Sequence, residues 1–215
     1  MKSEQLILIT GVERSGSTLI SRVLQMCGAN AGQTNKMCEN TFLRSLSLNI
    51  IQPLILACEM PDYLDLKEIT NWKELVETEL GKQETPFMYK DSQITQLWTL
   101  WHEAYKDAKW IIVRRRTGDI LNSLHETAYM TRFKIIANQM QIGALNEKEG
   151  WLWWVHEYER HFVDMIEAGV NHKIVWAERM RDGDFDQMKE VVDWCGLSWN
   201  EEVEDVMKTL LKSKK

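Results

Sequence analysis

Cysteine is scarce in this sequence and never paired. Cys27, Cys38, Cys58 and Cys195 stand far apart, with no CxxC and no disulfide-like rhythm among 215 residues. That excludes a disulfide scaffold and points to a reducing compartment. A structural zinc site is not expected either, because His156 and His161 lie five apart with no cysteine pair beside them. Long apolar runs are missing too. The opening "MKSEQLILIT" holds four consecutive apolar residues, too few for a signal sequence or a membrane span. The expectation is therefore a cytoplasmic protein with no membrane span. Nor is there a basic excess: 26 Lys and Arg against 32 Asp and Glu leave a net charge of −6. That argues against a nucleic-acid partner, and any anionic ligand must be gripped by a local cluster of cations.

What is present fits one globular domain. Hydrophobic residues make up 44% and charged residues 27%, enough for a core without staples. Three prolines against ten tryptophans point to a compact helical body around a small sheet. Four short apolar runs read as buried strands: Leu6–Ile9, Phe87–Tyr89, Trp110–Val113 and Ile174–Trp176. Each of the first three leads into a helix-length segment, the βα rhythm of a parallel sheet. Helical spacing recurs in "SQITQLWTLWHEAYKDA", in "GDILNSLHETAYM" and in the long stretch around "EKEGWLWWVHEYERHFVDMIEAG". "DFDQMKEVVDWCGL" stacks Phe185, Met188, Val192 and Cys195, with Gly196 as its stop. Residues 29–41 read as a polar loop, residues 49–82 as helices of a cap or lid, and the closing "KSKK" as a solvated tail. The expected architecture is a single α/β domain over 1–215, a parallel sheet flanked by helices. Helical insertions fall at about 42–82 and 130–168.

The chemistry sits first in "LILITGVERSGSTLI", residues 6–20. A strand, two glycines five apart and a helix make the layout of a phosphate-binding loop, GxxxxGK[ST]. Such a turn aims several backbone N–H groups, and the positive end of a helix, at one spot. In nucleoside-triphosphate enzymes the lysine reaches the outer phosphates and the hydroxyl after it holds Mg²⁺. Ser17 takes the lysine position here, Thr18 keeps the hydroxyl, and the nearby cation is Arg14. A second basic site follows the third strand. "WIIVRRRTGDILNSLHET" runs into Arg114, Arg115 and Arg116, with Ser123 eight residues after Arg115. A helix starting near Thr117 to Asp119 lets Ser123 face the same anion as Arg115, and a guanidinium with a hydroxyl suits a phosphate monoester. Two such cradles at the ends of two parallel strands imply a nucleotide phosphorylated at both ends.

On these residues the chain resembles the sulfotransferases that use 3′-phosphoadenosine 5′-phosphosulfate (PAPS). "GVERSGSTLI" is similar to their 5′-phosphosulfate loop, GxxRSGTTL, and "VRRRTGDILNSL" to their 3′-phosphate motif, VRDPRDxxxSx. "YKDSQITQLWTLWHEAYKDAKWIIVRR" and "IVWAERMRDGDFDQMKEVVDWCGLSW" are similar to two further stretches of the family. Residues of about 30–85 and 125–165 match nothing in it. The resemblance implies a P-loop-like fold, with Arg14, Ser15, Gly16, Ser17 and Thr18 on the 5′ side and Arg115 with Ser123 on the 3′ side. Two departures stand out: Arg116-Thr117 replaces the usual Asp-Pro, and Ser92 replaces the proline of K-[DT]-P. The spacing to Ser123 favours Arg115 among the three arginines.

The implied reaction moves a sulfuryl group from PAPS to a hydroxyl or amine, leaving adenosine 3′,5′-bisphosphate, and it requires no metal. Arg14 and Lys90, the latter at the end of the second strand, are the candidate cations for the leaving group. Glu39 is the candidate base by similarity to the glutamate-using branch, with His125 and His102 as rivals. Trp176, at the end of the last strand, is either a contact for the adenosine or a core residue. Of "WLWW" at 151–154, most should be packing. The acceptor is read only as a small molecule, a lipid or a sugar. A P-loop kinase, with Asp91 as the Mg²⁺ carboxylate, and a non-catalytic nucleotide-binding protein are the alternatives.

Overall fold

The computed structural model describes residues 3–56, 69 and 71–212. Cys58, part of the expected cap at 49–82 and the last residues of the tail lie outside them. Four strands form one sheet: β1 (Leu6–Thr10), β2 (Phe87–Lys90), β3 (Lys109–Arg114) and β4 (His172–Trp176). They are the four apolar runs expected from the sequence, each lengthened by a residue or two. All pair in parallel, in the order β2-β1-β3-β4.

Alternation along the strands splits the core between two faces. Leu6 and Leu8 of β1, with Phe87, Tyr89, Trp110 and Ile112, face one hydrophobic cluster. It is covered by α2 (Thr41–Leu56), α3 (Trp72–Leu80), α4 (Trp98–Ala104), α5 (Thr117–Glu126) and α7 (Glu147–Glu167), the short α6 (Ile136–Gln141) preceding α7. Ile7 and Ile9 of β1, with Met88, Ile111, Val113 and Val175, face the other. There α1 (Ser17–Met26), α8 (Ala177–Arg181), α9 (Asp186–Trp194) and α10 (Glu202–Lys212) pack. Gly196 takes φ +77° after α9, as a helix stop requires. The outer edge of β2 is not bare, because the Asn30 backbone pairs with Pro86 and Met88.

One helix is shorter than its periodicity predicts. The segment after β2 opens as a 3₁₀ turn, Ser92–Thr95, and α4 begins only at Trp98. The Asp91 carboxylate accepts from the Gln93 N–H, and the Thr10 hydroxyl contacts the Ser92 carbonyl and the Thr95 hydroxyl. The Asp91 bond competes locally with the helical ladder, and the long-range contacts of Thr10 hold the turn against the end of β1.

The strand order also locates the crevice. From β1 the chain crosses to β2 on one side, while β3 continues to β4 on the other. The loops after β1 and β3 therefore part over neighbouring strands, which is where ligands enter open α/β sheets.

On α7 the buried stripe runs Trp151, Trp154, Val155, Tyr158, Phe162 and Met165. Within "WLWW", Trp151 and Trp154 are buried while Leu152 and Trp153 are partly so, and the segment is mainly packing. Gly150 admits the Phe133 ring, which meets Trp151 edge-on with centroids 4.9 Å apart. A Cβ at Gly150 would stand 2.5 Å from the Phe133 Cγ. Alanine is the better helix former by about 1 kcal/mol, but overpacking costs about 1–3 kcal/mol. Gly150→Ala is therefore expected to lower stability by about 1 kcal/mol, read as a lower urea midpoint; a raised midpoint would show that the ring gives way freely.

Candidate functional site

The loop leaves β1 pressed against β3. A Cβ on Gly11 would lie 2.5 Å from the Val113 carbonyl oxygen, so only glycine permits this approach. At the other end Gly16 has φ +102° and a Cβ there would meet Ala177 at 2.7 Å. α1 starts directly after it, and no side chain caps its first turn. The start of such a helix is a place where backbone N–H groups and the helix dipole can receive an anion. Ser15 is fully buried in the loop, and its hydroxyl has no hydrogen-bond partner.

Arg14 takes a left-handed backbone, φ +71°, uncommon for a residue with a side chain. Its Nε donates to the Ser123 Oγ at 2.9 Å, and Nη1 lies 3.4 Å from the Tyr129 hydroxyl. Arg115 Nη1 in turn donates to the Arg14 carbonyl at 3.0 Å. The loop arginine thus meets Arg115 and Ser123, 101 and 109 residues further along the chain, at one point. The helix carrying Ser123 starts at Thr117, within the range expected.

Of the three consecutive arginines, Arg115 is the one turned onto the loop. Arg114 pairs with Glu159 and stands 5.7 Å over the Trp176 ring, while Arg116 engages Glu178 through its backbone N–H. Burial pulls the Arg115 guanidinium below its ordinary range, and the nearby Arg181 and Arg14 act the same way against Asp119 and Glu178. Positive charge is therefore concentrated where it lacks full compensation, which an anion would supply. Trp176 is 39% exposed, so it is not a core residue; its ring lies open beside these arginines.

A second group of charges closes the other side. Lys90 is only 4% exposed, with Nζ on Glu39 Oε1 at 3.0 Å and on the Met37 carbonyl at 3.3 Å. Thr18 donates to the same carbonyl at 3.4 Å, which sets Lys90 beside the start of α1. Glu39 Oε2 accepts from Arg44 at 2.9 Å and from Asn35 Nδ2 at 2.8 Å. Arg44 reaches Asp91 at 3.3 Å, and Asp91 also accepts from the Tyr89 hydroxyl and the Gln93 N–H. Lys90, Glu39, Arg44 and Asp91 form a chain of alternating charge. Burial pushes the Asp91 carboxyl up, against Arg44. Burial also opposes the charge on Arg44, but Asp91 and Glu39 outweigh it and hold that guanidinium above its usual range.

Of the candidate bases, Glu39 is the one bonded to Lys90. His125, with its side chain 72% exposed, pairs with Glu147 of α7, and His102 packs beside Trp98 in α4. Sequence reasoning passed over Arg44, Arg181, Tyr129 and Glu13. The first three carry no motif, and Glu13 falls on an unspecified position of the loop pattern. Glu13 turns away from Arg14: its carboxylate accepts from Ser92 Oγ, Trp154 Nε1 and the Tyr158 hydroxyl. Among the described residues no group of three His, Cys, Asp or Glu is placed to hold a metal, and no helix is long and apolar enough to cross a membrane. No family model matches the chain, and no curated protein matches it.

Removing one partner of a nearly buried ion pair strands the other, at about 3–5 kcal/mol. Glu39 keeps Arg44 and Asn35 when Lys90 is removed, so Lys90→Met is expected to cost less than that, about 2 kcal/mol in urea unfolding. Adding Glu39→Gln should cost less than its effect alone, because the oxygen that Lys90 held no longer carries an unpaired charge. Strictly additive losses would show that the two side chains are independent.

Proposed function

We propose that the protein is a sulfotransferase that binds PAPS and transfers its sulfuryl group to the hydroxyl or amine of an acceptor. The observation that carries this reading is the meeting of Arg14, Arg115 and Ser123. A loop without the lysine of triphosphate enzymes lies against a second cluster of guanidinium groups, so the site favours a ligand with an anion at each end. On this reading Arg115 and Ser123 hold the 3′-phosphate. Ser15, Gly16, Ser17 and Thr18 cradle the 5′ end, and Trp176 offers an exposed ring to the adenine.

The donor brings an activated sulfuryl group. An S–O bond forms to the acceptor oxygen as the S–O bond to the 5′-phosphate breaks. Negative charge growing on that phosphate falls to Arg14 and Lys90. The acceptor proton goes to Glu39. Lys90 Nζ donates to Glu39 Oε1, and its movement onto the phosphate would free that oxygen as base. Met37, beside Lys90, and Tyr129, beside Arg14, are exposed and would offer an acceptor apolar surface. A small molecule or lipid with a hydroxyl suits them better than a sugar.

The kinase reading is weaker in these surroundings. Its Mg²⁺ carboxylate, Asp91, is fully buried and already accepts from Arg44, Tyr89 and the Gln93 N–H.

Calorimetric titration tests the proposal. Adenosine 3′,5′-bisphosphate is expected to bind without Mg²⁺, and Arg115→Ala to weaken it about 10- to 100-fold, the loss of one or two charge-assisted hydrogen bonds. Adenosine 5′-monophosphate should bind less tightly and respond little to the same substitution. No affinity for the bisphosphate, or stabilisation by ATP with Mg²⁺ in its place, overturns the reading. Nucleotide binding without label transfer to any acceptor, and without slow donor hydrolysis, would instead mark a non-catalytic binding protein.

A further inference from the structure

Glu13 is a carboxylate inside a loop built to attract anions, where its own charge opposes the ligand. Glu13 does not share the left-handed backbone of Arg14, so the turn itself does not ask for a carboxylate, and a residue with this electrostatic penalty calls for a compensating role. Its three hydrogen bonds supply one. Ser92 Oγ donates at 3.2 Å from the turn after β2, Trp154 Nε1 at 2.9 Å and the Tyr158 hydroxyl at 3.1 Å, both from α7. All three donors are neutral, and two are anchored in the aromatic core, where Trp154 and Tyr158 lie with centroids 5.5 Å apart. The carboxylate is thereby pinned to the turn after β2 and to α7.

The residue that follows is Arg14, with its left-handed backbone. A non-glycine residue in that conformation persists only where its surroundings over-determine it. The Arg115 guanidinium holds the Arg14 carbonyl, and Ser123 holds its side chain. Both bonds, however, involve groups that an anion would compete for. The Glu13 bonds lie on the other side of the loop, toward Ser92 and α7, and do not draw on those groups. We infer that Glu13 is a positioning residue: its bonds to Ser92, Trp154 and Tyr158 hold Arg14 in its left-handed conformation when the ligand draws Arg115 and Ser123 to itself. Glu13 acts through Arg14 and touches neither donor nor acceptor. The inference rests on the proposed reading of Arg14 as an anion ligand.

Two measurements separate the inference from that reading. Hydrogen exchange of the ligand-free protein reports the loop alone. Glu13→Ala is expected to speed exchange of the amides of residues 13–18 about tenfold or more, while those of β1 and β3 stay as they were. Glu13→Gln, which keeps an acceptor for Ser92 and Tyr158, should recover part of the protection. Unchanged loop exchange, or equal acceleration throughout the strands, overturns the inference. The second measurement is a double-mutant cycle on the affinity for adenosine 3′,5′-bisphosphate. Glu13→Ala should weaken binding about tenfold in the native background and less than about twofold beside Arg14→Ala, since Glu13 then has no guanidinium to position. Equal effects in both backgrounds overturn it as well. If the unaltered protein has no affinity for the bisphosphate, the donor reading fails on its own, and exchange still decides whether Glu13 orders the loop.

Discussion

The Arg115 guanidinium donating to the Arg14 carbonyl joins the two halves of the site. That bond exists because β1 and β3 are neighbours, so the turns that follow them emerge side by side over the same edge of the sheet. Gly11 brings the first turn within contact of Val113 in β3. The Arg115 guanidinium is then held near those of Arg14 and Arg181 in a partly buried place, where desolvation and repulsion both act on it. A fold tolerates such crowding where a ligand's charge resolves it.

The opposite side of the crevice is handled differently. Lys90, Glu39, Arg44 and Asp91 alternate in sign, so the field they create is short-ranged, although several of them are deeply buried. In a low-dielectric interior each charge depends on its neighbours, and the group as a whole is rigid because no member can leave alone. Lys90 is the exception, since the start of α1 lies beside it and an anion there offers an alternative partner. The same crevice thus pairs an unbalanced cationic wall with a balanced one.

Much of the fold could be read from local pattern. The four strands follow from short apolar runs, the stop from the glycine at 196, and the mainly packing role of residues 151–154 from helical spacing, all of which neighbouring residues carry whatever the topology. The 3₁₀ turn at Ser92–Thr95 did not follow, because the bonds that make it come from Thr10, 82 and 85 residues away. Glu39, Lys90, Arg14 and Ser123 were visible as residue types beside motifs. Arg44 and Glu13 were not, since their partners are brought in by elements distant in sequence.

By itself, then, the sequence determined an α/β chain with a glycine-bounded loop after its first strand and a run of arginines after its third, because apolar runs and the placing of glycine are local properties. The spacing to Ser123 already favoured Arg115 among the three arginines, but what holds Glu39, and where the charges of Glu13 and Arg14 part company, were decided by tertiary structure alone. Strand order sets those contacts, and hydrogen-bond geometry acts through space over separations of up to 145 residues that no local pattern records.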